Sequence, residues 1–410
     1  MNKYYPLDKL FHIDSDNHEK EYLNRWSQLS AYKTDIHVTP IKKGVFAKET
    51  VPLFLVNIPD LAEINEEIIE NSNKITLLKN QLPTVSQDDF YSKLLINEIQ
   101  STNEVENVRS TKKEISDVLE DIKHQKFDQN TIAGKRFIGL TKLYYFLEQE
   151  GEINKVEDIR AIYDELVDPE IKEEDKLDGD IFRKDSVSVD SSGIEIHKGV
   201  MSEARIISML GQMITFVNNE KMPYLYKLMF AHYLFEYIHP FYDGNGRMGR
   251  YIVCKSLSKK LDKFSAVTFS YIVNRHKNKY YKAFTQASNP LNKGELTFFV
   301  KDMLEMIQEG QEQVITILEE NIQKIDRISQ NIDRLNLKDF GNQALFILSQ
   351  SAIFQPQESR ITVNNLAEVL NCERRKVLNA LSPIDNKLVK VKAKPLIYTL
   401  SDELLDFLLD

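Results

Sequence analysis

The twelve residues His239–Arg250, "HPFYDGNGRMGR", decide how this chain is read. Upstream of them residues 222–238, "MPYLYKLMFAHYLFEYI", are apolar and aromatic over the length of a helix, with Pro223 near the first turn. Pro240 disfavours helical geometry at the residue before it, so that helix is expected to end at His239 and present the imidazole at its tip. Gly244-Asn245-Gly246 is a turn without bulky side chains, in which successive backbone N–H groups can point into one concavity. "RMGRYIVCKSL" from Arg247 resumes helical periodicity, so the concavity lies over a helix N-terminus, where the dipole also favours anions.

The remaining side chains of the motif suit the same anion. Arg247 and Arg250 are three apart on the first turn and share a face, so both can reach one polyanion. Asp243 sits at the lip of the turn, and Mg²⁺ bridging phosphates needs only one or two such carboxylates. His239 is left to take a proton from an incoming hydroxyl. These parts describe a nucleotide phosphate held for attack. They are not a Walker loop, because no G-x-x-x-x-G-K-S/T occurs. Glu236 and His239 also form Glu-x-x-His, a di-iron pattern when two copies converge. There is no second copy, and the arginines would repel a cation, so this reading is set aside. His232, one heptad before His239, reads as a hydrogen-bonded core histidine.

"HPFYDGNGRMGR" resembles the signature of the Fic family, H-P-F-x-D/E-G-N-G-R-x-x-R, at every specified position. The resemblance implies a mainly α-helical core that transfers AMP from ATP onto a Ser, Thr or Tyr hydroxyl of a protein and releases pyrophosphate. Carried over by residue, it makes His239 the general base and Asp243 the Mg²⁺ ligand. It assigns Gly244, Asn245 and Gly246 to the anion hole, and Arg247 and Arg250 to the outer phosphates. The Doc-like kinase branch typically has Ala and Lys in this turn. Gly244 and Arg247 favour adenylylation instead. "DSVSVDSSGIEIHKG" has two alternating segments around a Ser-Ser-Gly turn, an expected β-hairpin. It occupies the place of the Fic flap, which clamps an extended target by strand addition, so an unknown target protein is expected to dock near Ser186–His197. "NKYYKAF" resembles the family's Tyr-Tyr segment beside the nucleoside, which places Tyr281 there.

Thr102-x-x-x-Glu106-Asn107, within "STNEVEN", resembles the Fic inhibitory motif Ser/Thr-x-x-x-Glu-Gly/Asn. The resemblance implies that Glu106 pairs with the second arginine of the signature, here Arg250. An arginine held by a carboxylate is unavailable to the γ-phosphate. The resemblance also leaves open that the glutamate positions water to remove AMP from a modified protein. Because dimerisation often controls this brake, a homodimer is among the expected partners.

Bulk properties set the limits. The chain has 410 residues and a net charge of −9, which argues against bulk attraction to nucleic acid or membranes. Cys254 and Cys372 lack metal-ligand spacing and suit a reducing compartment. No signal-peptide core or apolar run of about 18 residues occurs, so a cytoplasmic location is expected. Prolines break short extended pieces over residues 1–60, and helical periodicity follows from Leu61. Asp88-Asp89 are expected to cap two helical stretches over 88–122. Two more helices are expected to end at Gly151 and Pro169.

Five regions are expected: 1–88 before the Fic core, 89–125 with the inhibitory helix, 126–310 as the Fic domain, 311–338 as a helical connector, and 339–410 as a winged helix-turn-helix. In the last, Arg374, Arg375 and Lys376 open the second helix, and Lys387, Lys390, Lys392 and Lys394 lie near the wing. That cluster leaves DNA open as a partner, although Glu368 and Glu373 would oppose a phosphate backbone. A DNA-binding regulator with a nucleotide-sensing core is therefore the rival from outside enzymology.

Overall fold

The apolar run upstream of the motif forms a helix, Tyr224–Ile238, in which every residue from Leu225 to Phe235 is buried. A helix apolar on all sides belongs in the middle of a fold. Here Glu203–Asn219, Asn245–Ser258 and Thr297–Asn331 pack around it. The computed structural model describes residues 4–123, 135–149, 151–167, 171–191, 194–219, 221–354 and 360–410. The architecture is mainly α, with four two-stranded antiparallel sheets among the described residues.

The first 60 residues hold more helix than their prolines suggest. Leu7–Ile13 and His18–Ser27 precede the strands Ala31–Val38 and Val51–Val56. Both helices are too short for periodicity to stand out, and their order comes from tertiary anchors. The main anchor is Arg25, which is 1% exposed. It pairs with Glu295 at 2.8 Å and Glu21 at 2.9 Å, and donates to the Tyr5 carbonyl at 2.8 Å. The Tyr4 hydroxyl donates to the other oxygen of Glu295 at 2.6 Å. Removing one partner of a buried pair strands the other charge. Arg25→Ala is therefore expected to lower the unfolding free energy by about 3–5 kcal/mol, read by urea unfolding.

Pro59–Lys79 is followed by Thr84–Val105. The second of these starts at Thr84, with Pro83 as its N-cap, so Asp88 and Asp89 lie inside the helix and do not cap it. Lys112–Lys123, Ile138–Tyr145 and Val156–Val167 come next. The helix expected to run to Gly151 is assigned only to Tyr145, and Pro169 lies outside the described residues. The expected hairpin is present as Ser188–Ser191 paired with Ile194–Lys198, with Ser188 opposite Lys198 and Ser191 opposite Ile194. The turn residues Ser192 and Gly193 lie outside the described residues.

The connector expected over 311–338 is mostly the second half of a 35-residue helix, Thr297–Asn331. Its buried stripe Val300, Met303, Leu304, Ile307, Gly310, Gln311, Val314 and Leu318 keeps helical spacing, so the helix runs unbroken through residue 311. Ile325 still joins the main core, whereas Ile328 joins a second core with Val363, Leu366, Val377, Leu381, Leu404 and Leu408. Around this second core lie Asp339–Phe354, the helices Val363–Val369 and Arg374–Leu381, the strands Leu388–Ala393 and Leu396–Leu400, and a last helix Asp402–Leu409. Arg374, Arg375, Lys390, Lys392 and Lys394 are exposed. No helix among the described residues is long and apolar enough to cross a membrane.

Candidate active site

His239 ends the central helix in left-handed geometry, φ 52° and ψ 63°, with its N–H on the Phe235 carbonyl at 2.9 Å. The following proline denies it an α conformation, and the left-handed turn aims the chain away from the helix axis. The imidazole is nearly enclosed. Burial, with smaller pushes from His197 and Arg183, lowers its pKa to about 3, so the ring is neutral at neutral pH. Nδ1 lies 3.4 Å from the Glu236 carbonyl oxygen and 4.0 Å from the Glu236 carboxylate. Burial pushes the Glu236 carboxyl up to about 8, against the pull of nearby Arg250.

The loop after His239 is clamped from both sides. Phe241 is fully buried and stacks on Tyr163 with ring centroids 3.6 Å apart. Asn245 spends its side chain on the loop itself: its Oδ1 accepts from the Phe241 N–H at 2.9 Å and its Nδ2 donates to the Phe241 carbonyl at 2.7 Å. Any contribution of Asn245 to an anion hole is thus through its backbone. Gly244 takes φ +83°, which only glycine adopts without strain, and starts the helix Asn245–Ser258. The first N–H groups of that helix have no acceptor within it.

The two arginines have different partners. Arg247 is buried, with Nη2 3.4 Å from Asp243, whose side chain is 58% exposed at the lip. Arg250 is 1% exposed and turns to the helix Thr84–Val105. Its Nε donates to Thr102 Oγ1 at 3.0 Å, its Nη2 to the Thr102 carbonyl at 3.0 Å, and its Nη1 lies 2.8 Å from Glu106 Oε1. Burial, the largest single influence, opposes the Arg250 charge, but Glu106, Tyr280 and Glu236 together outweigh it and hold the guanidinium above the usual arginine value. The same Glu106 oxygen rests on the glycine turn, since a Cβ on Gly246 would come within 2.0 Å of it. The Glu106 carboxylate thus touches both features that the motif offers a phosphate.

Local chemistry explains why the helix ends there. Asn107 adopts φ 58°, and the N–H groups of Val108 and Asn107 bond the carbonyls of Asn103 at 2.9 Å and Glu104 at 3.2 Å. This is a Schellman ending, whose left-handed residue is normally Gly or Asn. Two turns back Glu98, fully buried, accepts from the N–H groups of Ser270 at 2.8 Å and Tyr271 at 3.0 Å and from Cys254 Sγ at 3.2 Å. It fastens the helix to the core. Glu98 carries one sequence signal, an acid on the face of Thr102. The Tyr281 hydroxyl donates to the Val105 carbonyl at 3.3 Å, beside Glu106. His232 is buried with Nε2 2.9 Å from the Tyr280 hydroxyl, the core role expected of it.

The comparisons with known proteins cover the same stretch of chain. The Fic/DOC family model matches residues 153–257, which include the whole motif and the hairpin. The chain carries a Fic/DOC-family domain. Fic-family proteins are commonly transferases that act on proteins, by AMP transfer or related nucleotide chemistry. Among solved structures, a Fic family protein from Desulfovibrio desulfuricans G20 is 18% identical, with a TM-score of 0.52 over 85% of this chain and 97% of that one. Fic-1 from C. elegans is 15% identical, with a TM-score of 0.43 over 64% of this chain and 74% of that one. The first of these supports the shared fold. Glu106, Thr102 and Tyr281 lie outside the residues that the family model matches.

Proposed function

We propose that this protein is a Fic-type adenylyltransferase that moves AMP from ATP to a hydroxyl of a target protein and is held in check by its own Glu106. One observation carries the reading: the Glu106 carboxylate lies 2.8 Å from Arg250 and against Gly246, where the resemblance puts the end of the triphosphate. A carboxylate over a helix N-terminus and paired with an arginine stands in for a phosphate oxygen.

With Glu106 displaced, the loop N–H groups, Arg247 and Arg250 would hold the phosphates. His239, neutral at its lowered pKa, would take the proton of the target hydroxyl as the hydroxyl oxygen bonds the α-phosphorus. The bond from that phosphorus to the bridging oxygen breaks, and pyrophosphate leaves. Asp243, exposed at the lip, suits a Mg²⁺ that neutralises phosphate charge, since such ions take one or two carboxylates plus phosphate oxygens. The edge of the hairpin Ser188–Lys198 would receive the target as an added strand.

Label transfer tests the reaction type. Glu106→Gly, incubated with Mg²⁺ and ATP labelled at either the α- or the γ-phosphate, is expected to label itself or added protein from the α position only. Transfer from the γ position would make it a kinase. No transfer from either would move the reading to AMP removal or nucleotide sensing.

A further inference from the structure

Arg183 precedes the hairpin and is fully buried. Among the described residues its hydrogen bonds all go to backbone carbonyls. Nε donates to His239 O at 2.9 Å, Nη2 to Val200 O at 2.8 Å and Ile238 O at 3.3 Å, and Nη1 to Asp185 O. A guanidinium this deep is costly unless its donors are used. Burial lowers its pKa only to about 10, so it stays charged at neutral pH.

The acceptors explain the expense. Ile238 and His239 are the last residues of the central helix, where carbonyls lack partners within the helix and carry partial negative charge. A five-donor cation is the group best suited to that end. The other two carbonyls belong to the strands' approach and exit, Asp185 before the hairpin and Val200 after it. The Val200 N–H also bonds Ile238 O at 3.0 Å. Gly199 has no side chain because none fits: a Cβ there would meet Arg183 Nη2 at 2.4 Å and His239 Cβ at 3.1 Å. His239 itself holds a left-handed conformation that is strained for a non-glycine residue and persists only where the surroundings fix it.

We infer that Arg183 is a positioning residue: it fixes His239 through the backbone and ties the base of the target-docking hairpin to that histidine, so that the two move as one body. The inference rests on the proposed function for what His239 does, but its geometry stands apart from that reading. The charged and titratable groups around the His239 ring come from three elements. Glu236 lies on its own helix, His197 on the hairpin strand, and Arg183 on the segment before the hairpin. Removing the Arg183 charge deletes one of the influences that keep the ring neutral, and loosening the loop admits water. Both raise the His239 pKa, so more of the ring is protonated at a given pH and less of it can act as a base.

The test is an NMR titration of the full chain with ring-labelled histidine, the His239 signal being assigned by its loss in His239→Asn. In the natural sequence the ring is expected to stay neutral to the acid edge of the folded range. In Arg183→Gln its midpoint should rise by about one unit or more, and in Arg183→Lys, which keeps the charge but not the fork, by less. Circular dichroism at low temperature establishes which variants are folded, and Arg183→Lys is the variant to use if the glutamine form is not. An unmoved midpoint in a folded variant, even one with a lowered melting temperature, would overturn the inference and leave Arg183 a structural group only. In the Glu106→Gly background, Arg183→Lys should lower the maximal labelling rate while leaving KM for ATP nearly unchanged. A rise in KM alone would likewise overturn it. If Glu106→Gly labels nothing yet the midpoint moves, the proposed function fails and the positioning role stands.

Discussion

Glu106→Gly is expected to bind Mg-ATP ten- to a hundredfold more tightly than the natural protein, a gain of about 1.4–2.8 kcal/mol. Three effects of one substitution act in the same direction. Arg250 Nη1 loses its partner at 2.8 Å and becomes free to meet a phosphate. The surface of Gly246, now covered by the carboxylate, opens. A negative charge that would repel a polyphosphate disappears. The substitution also has a cost that serves as a second readout. Arg250 is buried, so without Glu106 it keeps only its two bonds to Thr102 and the field of Glu236. Leaving part of a buried charged group unsatisfied costs about 1–3 kcal/mol. The variant should therefore melt lower than the natural protein without nucleotide and rise further when Mg-ATP is added, because a ligand stabilises in proportion to its affinity. Calorimetry gives the affinity and a thermal melt gives the crossover. Equal affinities would sink the idea that Glu106 competes with nucleotide.

What could be read from the sequence depended on how local the physics was. The turn at Gly244–Gly246 was legible because proline, glycine and a following helix each constrain the backbone within a few residues. The contact of Glu106 with Arg250 spans 144 positions and no local rule contains it; the family resemblance suggested it. The structure then supplies a local reason for the motif's last position, since Asn107 must take a left-handed conformation for the helix to end where Glu106 faces inward. Asn245 shows the opposite. The resemblance groups it with the anion hole, yet its side chain closes the loop onto Phe241.

Other features had no sequence signal at all. "FRKDS" looks like solvated surface, and nothing in it says that Arg183 is buried against four carbonyls. The helices at Leu7–Ile13 and His18–Ser27 are of the same kind. Their stability comes from Arg25 and Glu295, 270 residues apart, and from packing that periodicity cannot see. Helical periodicity through the long connector was legible, and the boundary set at residue 311 falls inside the one helix Thr297–Asn331, which serves two cores.

His239→Ala, placed on Glu106→Gly, is expected to lower labelling by about 10²–10⁴-fold while leaving ATP affinity within about twofold. The two numbers separate because the residues that would hold phosphate lie on the next helix and its turn, whereas His239 sits at the end of the previous one. The pH profile of Glu106→Gly adds a sign. An exposed histidine with a pKa near 6.5 would lose its base form, and the rate with it, as pH fell from about 7.5 to 5.5. Burial lowers the His239 pKa to about 3, so its base form persists through that window. The acid limb of kcat/KM for the free enzyme should accordingly lie well below 6.5, and any limb near 8 should follow Glu236, whose carboxyl burial raises to about 8. Glu236→Gln separates these, since it would remove a limb near 8 and leave the acid side in place. An acid limb at 6.5 that persists in Glu106→Gly would mean that another group takes the proton, and full labelling by the double variant would remove His239 from the reaction altogether.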